Sequence, residues 1–238
     1  MSHELLGLAQ AAAHVHVDAN ELKHVAQREE IACVKRGDDY YFEHRALDEW
    51  AQRNLLASSK KELAAAHREM SDQHRRATKE EFGIAPLFRP DGITLDLTAK
   101  AKAGVIRDMT DLAIATGLVY DDEGLFKELV DREEAAPTAV GMGAAFLHPR
   151  YHDPYFFEDT FIAYGRARRP VFFGAPDGEG TRHFFMICST DHEKHLHILA
   201  RLAVLAHGTD LLLARLDAAE DADAALAAIR DCETEYLK

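Results

Sequence analysis

Apolar residues recur at helical spacing from the start of the chain. Leu5, Leu8, Ala12 and Val15 share one face and predict a helix over residues 4–15. Asp18 is placed as the N-cap of a second helix over 19–30. Residues 31–44 then read as an apolar-rich strand, a turn at Gly37-Asp38-Asp39 and an aromatic strand. Residues 45–56 close this unit as a helix, with Trp50 as its core anchor. Residues 58–82 hold strong helix formers and dense mixed charge but few apolar positions, which predicts an exposed connecting helix. A solvated spacer is favoured over a coiled-coil homodimer contact, because the apolar positions do not sustain a heptad over three repeats. Pro86, Pro90 and Gly92 mark a boundary.

Beyond that boundary, helix and strand patterns alternate. Helices are predicted over 98–117, ending at Gly117, and over 121–136. A Gly-punctuated apolar stretch follows at 138–151, then strand candidates at 159–167, 170–175 and 182–190, and helices at 194–208 and 221–237. Elements of these lengths predict an α/β domain with helices covering a sheet. The expected organisation is therefore a small domain at 1–56, a connecting helix at 57–84 and an α/β domain at 85–238.

Charge and composition narrow the function. The formal net charge is -13, with 28 Lys+Arg against 41 Asp+Glu. Residues 1–84 hold 12 basic against 15 acidic groups, so the acidity is concentrated downstream. Such a balance argues against nucleic acid as the dominant partner of the whole chain. No apolar run approaches the roughly 20 residues that cross a bilayer, and the N-terminus lacks a basic start followed by an apolar block. The cysteines, Cys33, Cys188 and Cys232, are odd in number and far apart, which suits reduced thiols. A soluble cytoplasmic protein is the expectation.

The segment from Arg132 to Arg150 carries the chemistry. Gly141 and Gly143 permit tight backbone geometry, Ala144 and Ala145 permit close packing, and His148 arrives immediately before Pro149. A nucleophilic imidazole needs one ring nitrogen presented to its reaction partner and the other oriented by a hydrogen bond. With 14 histidines in the chain, an ordinary loop histidine remains the alternative on pattern alone. The run His192-Glu193-Lys194-His195 lacks the H-E-x-x-H spacing of zinc proteases, since Leu196 stands where the second ligand is needed. Neither a metal nor a cofactor is called for.

The Arg132–Arg150 block resembles the active-site segment of phosphotransferase-system EIIA domains of the fructose/mannitol type, including the nitrogen-regulatory branch. Arg132 and Glu133 match an Arg-Glu pair, Thr138 a Thr, Gly141 a turn glycine and His148 the active histidine. His195, Leu196 and Leu199 match the family's second histidine segment, a His-Leu-x-x-Leu helix start, and the likeness extends over about residues 86–238. The resemblance implies a mixed sheet flanked by helices. It also implies a phosphocarrier, rather than a multiple-turnover enzyme, in which His148 accepts a phosphoryl group from an HPr- or NPr-type phosphohistidine protein. Arg132 would then pair with phosphoryl oxygens and His195 would donate a hydrogen bond to them. Leu147 and Pro149 replace the Pro and Gly that frame the family's histidine, and Pro149 removes a backbone N–H. A non-phosphorylated binding protein with the same fold stays open.

Residues 1–56 resemble the small winged helix-turn-helix of MerR and excisionase-type proteins, with 33–42 as the wing and 45–50 in the closing helix. That resemblance implies DNA as a partner, contacted by Lys23, Arg28, Lys35 and Arg36. Glu21, Glu29 and Glu30 oppose phosphates on the same helix, and Glu29 stands where that family prefers Gly. A DNA-binding transcriptional regulator and a module for protein interaction or dimerisation both remain open. The combined expectation is a bacterial signalling protein whose phosphorylation state alters the N-terminal module or a regulatory target.

Overall fold

The computed structural model describes residues 5–15, 17–57, 60–78, 83–150, 156–208 and 211–236. Contacts divide the chain into Met1–Met70 and Ser71–Lys238.

In the first unit the opening apolar residues are not one helix. Leu5–Gly7 form strand β1, and helix α1 begins only at Leu8 and runs to His14. Three apolar residues fit either element by pattern. What decides is strand β3 (Asp39–Glu43), whose edge pairs Leu5 with Glu43 and Gly7 with Tyr41. Helix α2 (Ala19–Gln27) starts as expected, because Asp18 Oδ1 accepts from the amides of Asn20 at 2.8 Å and Glu21 at 3.3 Å. Strand β2 (Cys33–Arg36) completes an antiparallel sheet of order β1-β3-β2. Helix α3 (His44–Ala57) brings Leu47, Trp50 and Leu55 into the same core as Leu22, Val25 and Phe42. Helix α4 spans Lys60–Thr78. Glu29, just past α2, has φ +58, a conformation in which a glycine avoids the Cβ clash that any other residue carries.

The second unit is a mixed five-stranded sheet in the order β4-β7-β8-β6-β5, formed by Phe88–Leu97, Phe161–Val171, Thr181–Cys188, Ala144–Leu147 and Ala139–Gly141 respectively. The β4–β7 and β6–β8 pairs are parallel, and the β7–β8 and β5–β6 pairs are antiparallel. Two strand expectations change. The Pro/Gly cluster at 86–92 is no boundary loop, because Pro90 and Gly92 lie inside β4. Edge position and a register shift between Phe88 and Ile93 accommodate the missing N–H of Pro90. Residues 170–175 are likewise not a separate strand, since β7 runs through Pro170 to Val171.

Alternation along the strands divides the core. Phe161, Ala163 and Ala167 of β7 with Phe184 and Met186 of β8 face helix α5 (Lys102–Ala115) and helix α6 (Asp122–Ala135). A Cβ at Gly165 would lie 2.5 Å from both Leu97 Cδ1 and Met109 Sδ, so a larger residue there would have to displace both buried side chains. The opposite face carries Phe146, Tyr164 and Phe185, with ring centroids 5.8 Å apart for Phe146–Phe185 and 5.0 Å for Tyr164–Phe185. Helix α7 (His192–Gly208) packs on β8 and helix α9 (Ala222–Tyr236) on β4. Between them in sequence lies helix α8 (Leu211–Ala218), too short to show helical periodicity. Buried Glu233 of α9 accepts from Arg201 Nε of α7 at 2.6 Å and from the amides of Ile84 at 2.7 Å and Ala85 at 3.0 Å. This carboxylate ties α7 to the turn at Ala85–Leu87 that leads into β4.

Candidate functional site

Parallel strands finish at the same end of a sheet, and this places the two histidines. β6 pairs with β8 so that Leu147 stands opposite Met186. His148 is the residue after β6, and α7 starts four residues after β8 ends, with His195 in its first turn. Residues far apart in sequence thus meet, their ring centroids 4.8 Å apart and their planes inclined by 59°. Both are buried, His148 to 2% exposure and His195 to 0%.

His148 Nδ1 lies 3.1 Å from the carbonyl oxygen of Pro149. A carbonyl only accepts, so Nδ1 carries the proton and the lone pair resides on Nε2. The chain therefore supplies its own orienting acceptor one residue after the histidine.

The start of α7 is fixed by several contacts. Asp191 Oδ1 accepts from the Lys194 amide at 2.8 Å, while its carbonyl accepts from the His195 amide at 3.1 Å and from Ser189 Oγ at 2.8 Å. The Thr190 amide donates to Thr160 Oγ1 at 3.2 Å. His195 is held at a helix N-terminus, where the peptide dipoles favour negative charge. His197, two residues on, instead pairs through Nε2 with Ser71 Oγ at 3.1 Å.

Arg132 sits in the last turn of α6, 8% exposed, and its Nη1 donates to the Ala136 carbonyl at 2.8 Å. It lies toward the same end of the sheet as His148, since β5 pairs Ala139 with Ala145 and the Phe146 amide donates to the Thr138 carbonyl at 3.0 Å. At least one arm of the guanidinium thus caps its own helix. Glu133 has a positioning part that the motif alone did not disclose. Its Oε2 accepts from the Thr138 amide at 2.9 Å and from Thr138 Oγ1 at 2.6 Å, and its Oε1 pairs with Lys102 Nζ at 2.6 Å. The contact fixes the start of β5, and so the strand that delivers His148. The Arg-Glu pair and Thr138 were visible in the sequence, but nothing local pointed to Lys102. The β5–β6 turn is two residues long, with Met142 at φ +54 and Gly143 at φ +80, a mirror-image turn that suits the strand twist.

In the first unit, the four basic candidates stand apart from one another in their contacts. Arg28 is ion-paired with Glu30 at 2.6 Å. Lys35 lies 5.6 Å from the Tyr40 ring centroid and Arg36 lies 5.3 Å from that of Tyr41. Lys23 lines a cavity of about 350 Å³ together with Asp38, Asp39, Tyr40 and Tyr41.

The second unit is a mixed α/β domain of EIIA type. It superimposes on the nitrogen regulatory protein IIA-Ntr of Neisseria meningitidis with a TM-score of 0.55 and 24% identity, covering 61% of this chain and 98% of that one. Residues 86–232 match the family described as phosphoenolpyruvate-dependent sugar phosphotransferase system, EIIA 2, and the chain belongs to that family. It is 29% identical over 144 residues to a nitrogen regulatory protein of Bradyrhizobium diazoefficiens, covering 59% of this chain and 90% of the relative. It is also 28% identical over 142 residues to the fructose-specific EIIABC component of Bacillus subtilis, covering 58% of this chain and 22% of the relative. The chain thus spans about a fifth of that relative's length. Among the described residues, no single helix is long and apolar enough to cross a membrane.

Proposed function

We infer that the domain at 85–238 is a regulatory phosphocarrier that accepts a phosphoryl group on Nε2 of His148 from an HPr- or NPr-type phosphohistidine protein. The observation that carries the reading is the pairing of His148, oriented through Nδ1 by the Pro149 carbonyl, with His195 at the start of α7. In the transfer, the Nε2 lone pair attacks phosphorus while the N–P bond of the donor breaks. The electron pair of that bond returns to the donor ring. The Pro149 carbonyl, accepting from Nδ1–H, stabilises the positive charge that develops on the His148 ring, which gives up one proton as the donor ring regains one, so that a net proton passes to the donor. Positioning and nearby positive donors do most of the work in such a loose, anionic transition state. His195 and the guanidinium of Arg132 are assigned those roles.

The module at 1–56, joined through the segment at 57–84, is assigned the readout. Lys35 and Arg36 on the edge strand β2 support a winged helix-turn-helix that meets DNA phosphates. Asp38 and Asp39 at the tip of the same hairpin favour a protein target instead. Salt-sensitive retardation of genomic fragments at low ionic strength separates the two. The carrier reading is tested by incubating the chain with enzyme I, an HPr-type carrier and phosphoenolpyruvate. Acid-labile phosphate is expected on the native chain and not on His148→Ala. Absent labelling of both would leave a binding protein with the EIIA fold, and equal labelling of both would place the phosphate on another residue.

A further inference from the structure

A second set of polar side chains is buried in the EIIA domain, toward the opposite end of the sheet from His148. His183 stands opposite Ala144, at the start of the same parallel ladder that ends beside His148. It is 3% exposed, and its Nδ1 lies 2.8 Å from the hydroxyl of Tyr164, itself fully buried. Its Nε2 lies 3.5 Å from Asp217 Oδ1 on α8, which Arg182 Nη1 also reaches at 2.9 Å. Arg166 Nη1 donates to three carbonyls at the end of α8, those of Leu216 at 2.6 Å, Asp217 at 2.8 Å and Ala219 at 2.9 Å. The charged and titratable groups facing His183 are therefore Tyr164 and Arg166 from β7, Arg182 from its own strand and Asp217 from α8.

This arrangement suits only a neutral imidazole. Nε2–H points to the carboxylate, and Nδ1 accepts from Tyr164. A second proton would have to enter at Nδ1, where the Tyr164 hydroxyl would be forced to turn from donor to acceptor. The resulting cation would lie out of water and beside two arginines. Water reaches the ring readily only when α8 moves away. That helix has eight residues, and polar contacts to Asp217 and its neighbours at its end hold it to the strands.

We propose that Tyr164, His183 and Asp217 form an acid-released latch, by which α8 leaves the sheet before the domain unfolds as a whole and returns on neutralisation. The pKa of buried His183 is lowered to about 4, chiefly by burial, against an ordinary value of 6.5. Release takes up a proton, so it is favoured progressively as pH falls from about 6.5 to about 4, by on the order of a hundredfold in total. The latch is independent of phosphorylation at His148.

Hydrogen exchange of the full-length protein, followed by mass spectrometry and corrected for intrinsic exchange rates, reads this directly. Peptides covering Leu211–Ala218 are expected to be less protected than those covering β8 and α5 at every pH, and to lose at least about tenfold in protection between about pH 7 and about pH 4.5 while β8 and α5 stay the better protected. His183→Gln is expected to abolish that pH dependence. Protection of α8 that is independent of pH, that equals that of β8 throughout, or that falls equally in His183→Gln overturns the latch. If His183→Gln does not fold, Asp217→Asn decides. That variant removes the counter-charge that favours protonated His183 and the partner of Arg182, so α8 is expected to be less protected at neutral pH and to lose protection more steeply in acid. An unchanged profile, or loss of the pH dependence in Asp217→Asn, makes His183 irrelevant and overturns the proposal.

Discussion

Glu233 holds Arg201 at 2.6 Å, joining the last helix of the EIIA domain to the helix that carries His195. The two are 8% and 7% exposed, and Glu233 also accepts from two backbone amides before β4. Glu233→Ala takes the carboxylate partner from a buried guanidinium and the acceptor from two backbone amides. The expected cost is about 3–5 kcal/mol, read as a fall of roughly 10 °C or more in the melting temperature by circular dichroism. Replacing both residues by Met should recover most of the loss. A loss in the single variant below about 1 kcal/mol would mean that water replaces the carboxylate.

Phosphorylation kinetics should divide the two histidines. His148→Ala is expected to abolish acid-labile phosphate. His195→Ala should retain labelling but slow it by roughly a hundredfold, the usual effect of removing one donor from a developing anion. Equal rates for His195→Ala and the native chain, measured by quench-flow, would reduce His195 to a packing residue.

Pro149 offers a test of the local frame. Pro149→Gly keeps the carbonyl that orients His148 and restores a backbone N–H. Phosphoryl transfer is expected to quicken by about tenfold, the size of one added hydrogen bond to an anion. A slower variant would show that rigidity at this position matters more than the donor.

The buried His183 sets the sign of one pH effect. Its folded pKa of about 4 lies below the ordinary 6.5, so the unfolded chain binds the extra proton first. Stability is unaffected above about pH 6.5, falls through the interval to about pH 4, and is penalised by a constant amount below it, in total by about 3 kcal/mol. Urea unfolding of the native chain and His183→Gln should differ in slope against pH only within that window.

Glu29 is the corresponding test in the first unit. At φ +58 it adopts a conformation that glycine takes without a Cβ clash. Glu29→Gly should stabilise the unit by about 0.5–1 kcal/mol, seen as a higher urea midpoint, because relief of strain outweighs the added freedom of the unfolded chain. No gain would imply that the Glu29 side chain offsets its own strain.

Legibility in the sequence followed the range of the interaction. Asp18 as a cap, the turn glycines before β6 and both histidine segments are local signals, and they are readable in one pass. β4 was hidden because Pro90 and Gly92 are turn residues in most contexts, and only edge position makes them compatible with a strand. α8 was hidden because eight residues, with Arg215 and Asp217 both near its end, are too few to show a helical period. Leu5–Gly7 became a strand through pairing with residues almost forty positions away. Arg201 with Glu233, and His183 with Asp217, depend on tertiary proximity that no spacing encodes. The motif gave Arg132 and Glu133 as a pair, whereas the fold gives them separate tasks, one capping α6 and the other anchoring Thr138.

The parallel ladder between β6 and β8 has a kinetic consequence. Ala144–Leu147 must await Thr181–Cys188, with the whole of β7 formed between them, before His148 acquires His195 as a neighbour. Pairings of such long sequence separation form slowly, since loop-closure entropy is lost before contacts compensate it. A nascent or partly folded chain therefore lacks the histidine pair, whatever local helices it has already made. The histidine pair exists only once this ladder has closed, so its presence reports on the integrity of the domain that holds it.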